Sequence, residues 1–121
     1  MPKDFSRSAR VAEVIQREVA RIIQQGMNDP RATAVTITHA TVTRDMSYAR
    51  IYFIMQGDQQ EIKEIEKVLN KASGFIRHEL SSRVDLRHMP KLLFTFDESI
   101  ERGMRLDKLI DDVMKDESGN S

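Results

Sequence analysis

The side chains here with types suited to chemistry are His39, His78 and His88, a scatter of serines, and carboxylates placed mostly beside Lys or Arg. No two histidines have the spacing of a helical metal pair, and there is no Cys to assist them. Without Cys, a disulfide framework and thiolate metal sites are excluded. No serine sits in a Gly-x-Ser-x-Gly elbow, and neither a Walker loop nor a Gly-x-Gly-x-x-Gly turn occurs. These residues point to no reaction, no metal and no cofactor, so the expectation is a binding protein and not an enzyme.

The remaining chemistry is electrostatic. Formal net charge is zero, with 19 basic and 19 acidic side chains, but the charges are segregated. Residues 1–55 carry net +3 and residues 67–91 net +4, while 56–66 carry −3 and 92–121 carry −4. A polyanion responds to a local patch more than to a total. An ordinary solvated surface would give the same counts.

The elements that must position these charges follow from hydrophobic period. From about Arg7 to Gln25, Val11, Val14, Ile15, Val19, Ile22 and Ile23 recur at helical spacing. Ser6 or Ser8 is expected to cap this helix, and Gly26 to end it. Asn28-Asp29-Pro30 reads as a turn. The Thr- and Val-rich stretch 33–43 reads as a strand whose apolar parity slips, so a bulge is expected near Thr38-His39. Tyr48 to Met55 is a second strand, with Ala49, Ile51, Phe53 and Met55 on one face, and the short connection makes the pair an antiparallel hairpin. A helical period runs from Asp58 to about Leu80, with Asp58 and Glu61 spaced as a capping box and Gly74 interrupting the stripe. Gly in mid-helix costs about 1 kcal/mol relative to Ala. A positive φ or close approach by another chain is therefore expected at Gly74. After Pro90, Leu92, Phe94 and Phe96 alternate as a third strand. Ile100 to Met114 has the pattern of a last helix.

The expected fold is α+β, a three-stranded sheet packed on helices in the order α-β-β-α(kink)α-β-α. Residues 1–115 form one domain, and 116–121 are a short, acidic, disordered tail. No segment reaches the ~20 apolar residues needed to cross a bilayer. The strand–strand–helix–helix–strand run is also the kernel of the type II KH fold. KH domains clamp nucleic acid with a Gly-x-x-Gly loop between two helices. This chain has none, and carries Ala72-Ser73-Gly74 at that junction.

The stretch Ala72-Ser73-Gly74-Phe75-Ile76-Arg77 resembles the junction motif of the ribosome-binding factor A family, in which an Ala-x-Gly kink replaces the clamp. Other matches fall in order: Arg10-Val11, Asp29-Pro30-Arg31, Asp45 with Tyr48-Ala49, Leu86-Arg87 before Pro90, Asp97-x-Ser99, and Gly103-Met104-Arg105. Together they span about residues 4–114.

The resemblance implies a non-enzymatic, monomeric, cytoplasmic KH-like assembly factor without a cofactor. Its implied partners are the free small ribosomal subunit and its 16S rRNA. It is implied to assist late maturation and end processing of that RNA, above all in the cold, with assembly GTPases acting separately. The RNA- or ribosome-binding residues expected on this reading are basic: Arg7, Arg10, Arg31, Arg44, Lys67, Lys71, Arg77, Arg83, Arg87 and Lys91. Ala72, Ser73 and Gly74 would form the structural kink. The competing expectation is a protein–protein adaptor or regulatory α+β domain that never touches RNA.

Overall fold

A computed structural model describes residues 3–27 and 29–98. Helix α1 (Lys3–Gly26) leads through a 3-10 turn (Pro30–Ala34) into strands β1 (Thr36–Val42) and β2 (Tyr48–Ile54). Helices α2 (Gln59–Lys71) and α3 (Ser73–Arg83) then carry the chain to strand β3 (Lys91–Phe96). The last helix expected over 100–114 and the tail at 116–121 lie outside the described residues, as does Asn28 of the expected turn.

The strands lie in the order β1-β2-β3, antiparallel across the hairpin and parallel between β2 and β3. Ala49, Ile51, Phe53, Leu92 and Phe94 point to the helices and are buried. They meet Ile15, Val19, Ile22 and Ile23 of α1, Ile65 and Leu69 of α2, and Ile76 and Leu80 of α3 in one core. The helices therefore cover one sheet face. The other carries Tyr48, Arg50, Tyr52 and Ile54.

The register shifts between Ile37 and His39, so Thr38 is the extra residue of a bulge. The shift brings Ile37, Ala40 and Val42 onto the core face despite their opposite parity. Side chains hold it there. Gln16 of α1 donates to the Thr38 carbonyl at 3.0 Å, and the Thr38 hydroxyl donates to the buried carboxylate of Asp97 at 2.7 Å.

Three details differ from expectation. Helix α1 begins at Lys3, so Ser6 and Ser8 lie within it and do not cap it. The Thr-rich stretch does not start as strand: Pro30 occupies the first turn of the 3-10 segment, and Asp29 caps it by accepting the Arg31 N–H at 3.0 Å. That turn buries Ala32 and delays β1 to Thr36. The helix pair breaks at Ala72 (φ −86°, ψ 1°), two residues before Gly74. Gly74 sits in the first turn of α3 without a positive φ, and a Cβ there would meet nothing within 4 Å. The expected backbone constraint at Gly74 is absent. The break is made by Ala72, and the Asp58–Glu61 capping box starts the pair as read from spacing.

Strand β3 has a free edge, which α2 closes. Asn70 donates to the Phe94 carbonyl at 2.9 Å and accepts the Phe94 N–H at 2.8 Å. One turn earlier, Glu66 accepts the Phe96 N–H at 3.0 Å. Beyond the kink, Arg77 donates to the carbonyls of Pro90 at 3.1 Å and Met89 at 2.6 Å.

Two outcomes follow from these contacts. Asn70→Ala leaves a donor and an acceptor of Phe94 without partners and should cost about 2 kcal/mol or more. The check is urea unfolding, in which the midpoint falls at unchanged slope. Gly74→Ala, at an open helical position, should stabilise the fold by about 0.4–1 kcal/mol through the entropy of the unfolded chain. A destabilised Gly74→Ala protein in the same assay would mean that the backbone at Gly74 is constrained after all.

Candidate nucleic-acid interface

The ten basic candidates separate into three groups. Arg7 from α1, Arg44 from the β1–β2 turn and Arg87 from the loop before β3 converge on one groove, with Val11, Asp45, Met46, Leu86 and His88 also lining it. These guanidinium groups come from segments far apart in sequence, and only the tertiary fold gathers them. All three are exposed and make no hydrogen bond or ion pair among the described residues. Arg10 and Lys91 are likewise exposed and without side-chain partners there.

The groove has a rigid wall. In the β1–β2 turn, one oxygen of Asp45 accepts the Ser47 hydroxyl at 2.7 Å, the Thr43 hydroxyl at 2.8 Å and the Ser47 N–H at 3.1 Å. These bonds, the Ser47 hydroxyl first, hold the Asp45 carboxyl below its usual range. Met46 takes a left-handed conformation (φ 63°) at the tip. Non-Gly residues are uncommon there. The turn therefore presents Arg44 from a fixed backbone.

A second group surrounds the kink. Arg31, Lys71, Ala72 and Phe75 line a shallow hollow with Met27 and Val68. Phe75 is 47% exposed. Arg31 is engaged with Asp29 through two side-chain bonds of 3.1 and 2.8 Å. This pairing is the first cause of a lowered Asp29 and a raised Arg31 pKa. Lys67 and Lys71 are exposed on α2 and unpaired among the described residues. Ala72, Ser73 and Gly74 lie at the lip, and no side chain caps the start of α3.

The third group is committed to the fold. Arg77 holds the loop before β3, as above. Arg83 lies 3.8 Å from Glu18 of α1, whose other oxygen is 2.9 Å from Arg21. Sequence position ranked these with the free arginines. Their partners are remote in the chain, and charge pattern alone does not reveal them.

The first two groups lie at opposite ends of α1. Arg7 and Met27 are twenty positions apart, about 30 Å at a helical rise of ~1.5 Å per residue. Among the described residues no group of three or more His, Asp or Glu side chains is placed to hold a metal ion. No described helix is long and apolar enough to cross a membrane.

Comparison of the sequence and the fold with known proteins leads to one family. The sequence profile described as ribosome-binding factor A matches residues 7–110. A ribosome-binding factor A from Nitrosococcus oceani is 47% identical over 122 residues, covering 100% of this chain and 96% of the relative. A Thermotoga maritima protein solved by NMR and described within the same family superposes with a TM-score of 0.68 at 32% identity, covering 78% of this chain and 91% of that one. Coordinates of the Thermus thermophilus ribosome-binding factor A, fitted into a cryo-EM map of its 30S complex, share the fold with a TM-score of 0.62 at 23% identity. They cover 75% of this chain and 96% of that one. A profile match over most of the chain and a near-half-identical relative of the same length lead to one conclusion: the chain belongs to the ribosome-binding factor A family.

Proposed function

We propose that this protein is a non-enzymatic assembly factor that binds the free small ribosomal subunit as a monomer in the cytoplasm. On this reading it assists late maturation and end processing of the subunit's 16S rRNA, with the greatest effect in the cold, and assembly GTPases act on the same particle separately. The observation that carries the reading is the convergence of Arg7, Arg44 and Arg87 on one groove, unpaired, in a chain of zero net charge. Three unpaired guanidinium groups against one carboxylate, Asp45, leave the groove net positive, a field that attracts an anion. The family's description and the 30S complex described for the Thermus protein support ribosomal RNA as that anion.

The action needs no bond to be made or broken. A protein that binds one RNA arrangement better than another shifts the population toward it by the difference in affinity. The kink surface supplies the second contact. It offers Lys67 and Lys71, the uncapped first turn of α3, and Gly74, where no side chain keeps a backbone away. The KH-like reading of the helix pair rests on this junction, with the kink in place of the loop.

An adaptor role has one observation in its favour. Exposed Phe75 beside Met27 and Val68 is an apolar patch suited to a protein contact. Salt separates the two readings. Binding through phosphate contacts weakens with added salt at a log–log slope of about 0.7–0.9 per contact, and binding through apolar contacts does not.

Sedimentation of a lysate through a gradient should find the protein with free small subunits and not with translating ribosomes. Replacing Arg7, Arg44 and Arg87 together by Ala should flatten the salt slope by roughly two to three and leave urea unfolding unchanged. An unchanged slope would move the RNA surface to the kink. Gly74→Ala should weaken subunit binding while the fold gains stability. Equal binding by that variant would remove Gly74 from the interface.

A further inference from the structure

The sheet face turned away from the helices has a composition of its own. Cross-strand pairs Thr41–Arg50 and His39–Tyr52 lie on it, as do Tyr48 with Lys91 and Arg50 with Leu93 across the parallel pair. Within the three strands no acidic side chain stands on this face; Asp97, next after β3, accepts from Thr38 at 2.7 Å and lies 3.6 Å from His39, at the end away from Tyr48. In a chain with 19 carboxylates that is a clear asymmetry, and Arg50 and Lys91 make the face positive. Their side chains have no partner among the described residues.

The two tyrosines differ. Tyr52 is half-buried and stacked on His39, with ring centroids 4.2 Å apart and planes within 9°. Its ring is already occupied. Tyr48 is 52% exposed, and Leu93 nearby is 43% exposed. Between them lies a hollow of about 390 Å³ bounded by Thr41, Thr43, Arg50 and Leu93, within the range of ligand-sized clefts. Tyr48 also stands where the sheet meets the Arg7–Arg44–Arg87 groove. It follows the β1–β2 turn directly, and the Lys91 N–H is tied to the Ser47 carbonyl at 3.0 Å. Positive charge therefore continues from the groove past Lys91 onto the open face.

An exposed aromatic ring flanked by unpaired cations has the chemistry of a base-stacking site. A duplex hides its base faces, so the occupant is single-stranded. We infer that the open sheet face binds an unpaired RNA strand, with a base stacked on Tyr48, the adjoining backbone on Arg50 and Lys91, and the strand continuing into the Arg7–Arg44–Arg87 groove. The inference rests on the proposed RNA-binding function and names the form of RNA that this surface takes.

The chain has no Trp and two Tyr, so its intrinsic fluorescence reports tyrosine alone. The test titrates the full-length protein with a short unstructured RNA oligonucleotide, reading tyrosine emission and, separately, anisotropy of labelled RNA. Binding should quench the emission. Tyr48→Ala should weaken the complex about tenfold or more, since stacking is worth roughly a tenfold change or better per base. Tyr48→Phe should keep the affinity and lose most of the quenching. Arg50→Ala should lower the salt slope by about one contact. A duplex of the same sequence should be indifferent to Tyr48→Ala. Equal affinity of wild type and Tyr48→Ala for the single strand overturns the inference. So does a Tyr48→Ala protein that loses small subunits yet binds the oligonucleotide normally, because the face would then dock a protein. The Arg44→Ala, Arg87→Ala double variant keeps the two readings apart. If it loses subunits while Tyr48→Ala keeps them and binds the oligonucleotide normally, subunit binding stands and base stacking falls.

Discussion

The parallel pairing of β2 with β3 is the constraint on which the rest of the structure depends. Parallel neighbours need a crossover, and the chain must return over the sheet before β3 can start. A straight helix over residues 59–83 would run about 37 Å, while the strands it crosses are only about 20–23 Å long. The helical segment has to bend. It bends at Ala72, and the side chains on either side of the bend are the ones that hold β3. Asn70 grips both backbone groups of Phe94, and Arg77 grips the carbonyls of Met89 and Pro90. The same contacts close the strand edge, a row of unpaired groups that would otherwise invite another chain.

Much of this was legible in the sequence wherever a period carried it. The apolar stripe of α1, the alternation of β2 and β3, and the capping box of α2 all appear at the spacing their geometry demands. The bulge at Thr38 was legible as well, since a parity slip within a strand has few other solutions. The 3-10 turn at Pro30–Ala34 was not, because Thr33 to Val35 look like strand on propensity, and a local Asp29 cap with Pro30 outweighed it. Gly74 misled for a related reason. Glycine marks a break in a pattern, but Ala72 is the residue whose dihedrals depart from the helix.

The candidate site was legible in residue type and not in allocation. Exposed Lys and Arg could be named from charge, but the free ones could not be separated from those spent on the fold. Arg77 finds its carbonyls 12 and 13 residues away, and Arg83 meets Glu18 across the α1–α3 contact. Such partners are set by tertiary packing. The groove cations are all arginine, so their charge does not vary with pH. The turn that frames them carries Asp45 with its pKa lowered. A lowered carboxyl contributes stability that is complete above the unfolded value and is lost as pH falls through the folded one. Asp29 behaves in the same sense. The arginine charges of the groove are therefore constant near neutral pH, and ionic strength modulates their field.

On the proposed function, the spacing of the two basic surfaces bears on how so small a protein would act on a large RNA. A single patch of three arginines binds any phosphate backbone, weakly and without preference for its shape. Two patches at opposite ends of a rigid helix, about 30 Å apart, impose a distance. An RNA that presents phosphates at both ends of that span binds both, and the second contact forms at a high effective concentration set by the first. An RNA that presents them at another distance binds through only one. On the proposed function, the preference for one RNA arrangement therefore comes from the length of α1, and the affinity for each end from its cations. Helix α1 is kept rigid by the core it shares with all three strands and with α2 and α3. The burial of Ile15, Val19, Ile22 and Ile23 thus bears on function as much as any exposed arginine does, because it keeps the distance between the two surfaces constant.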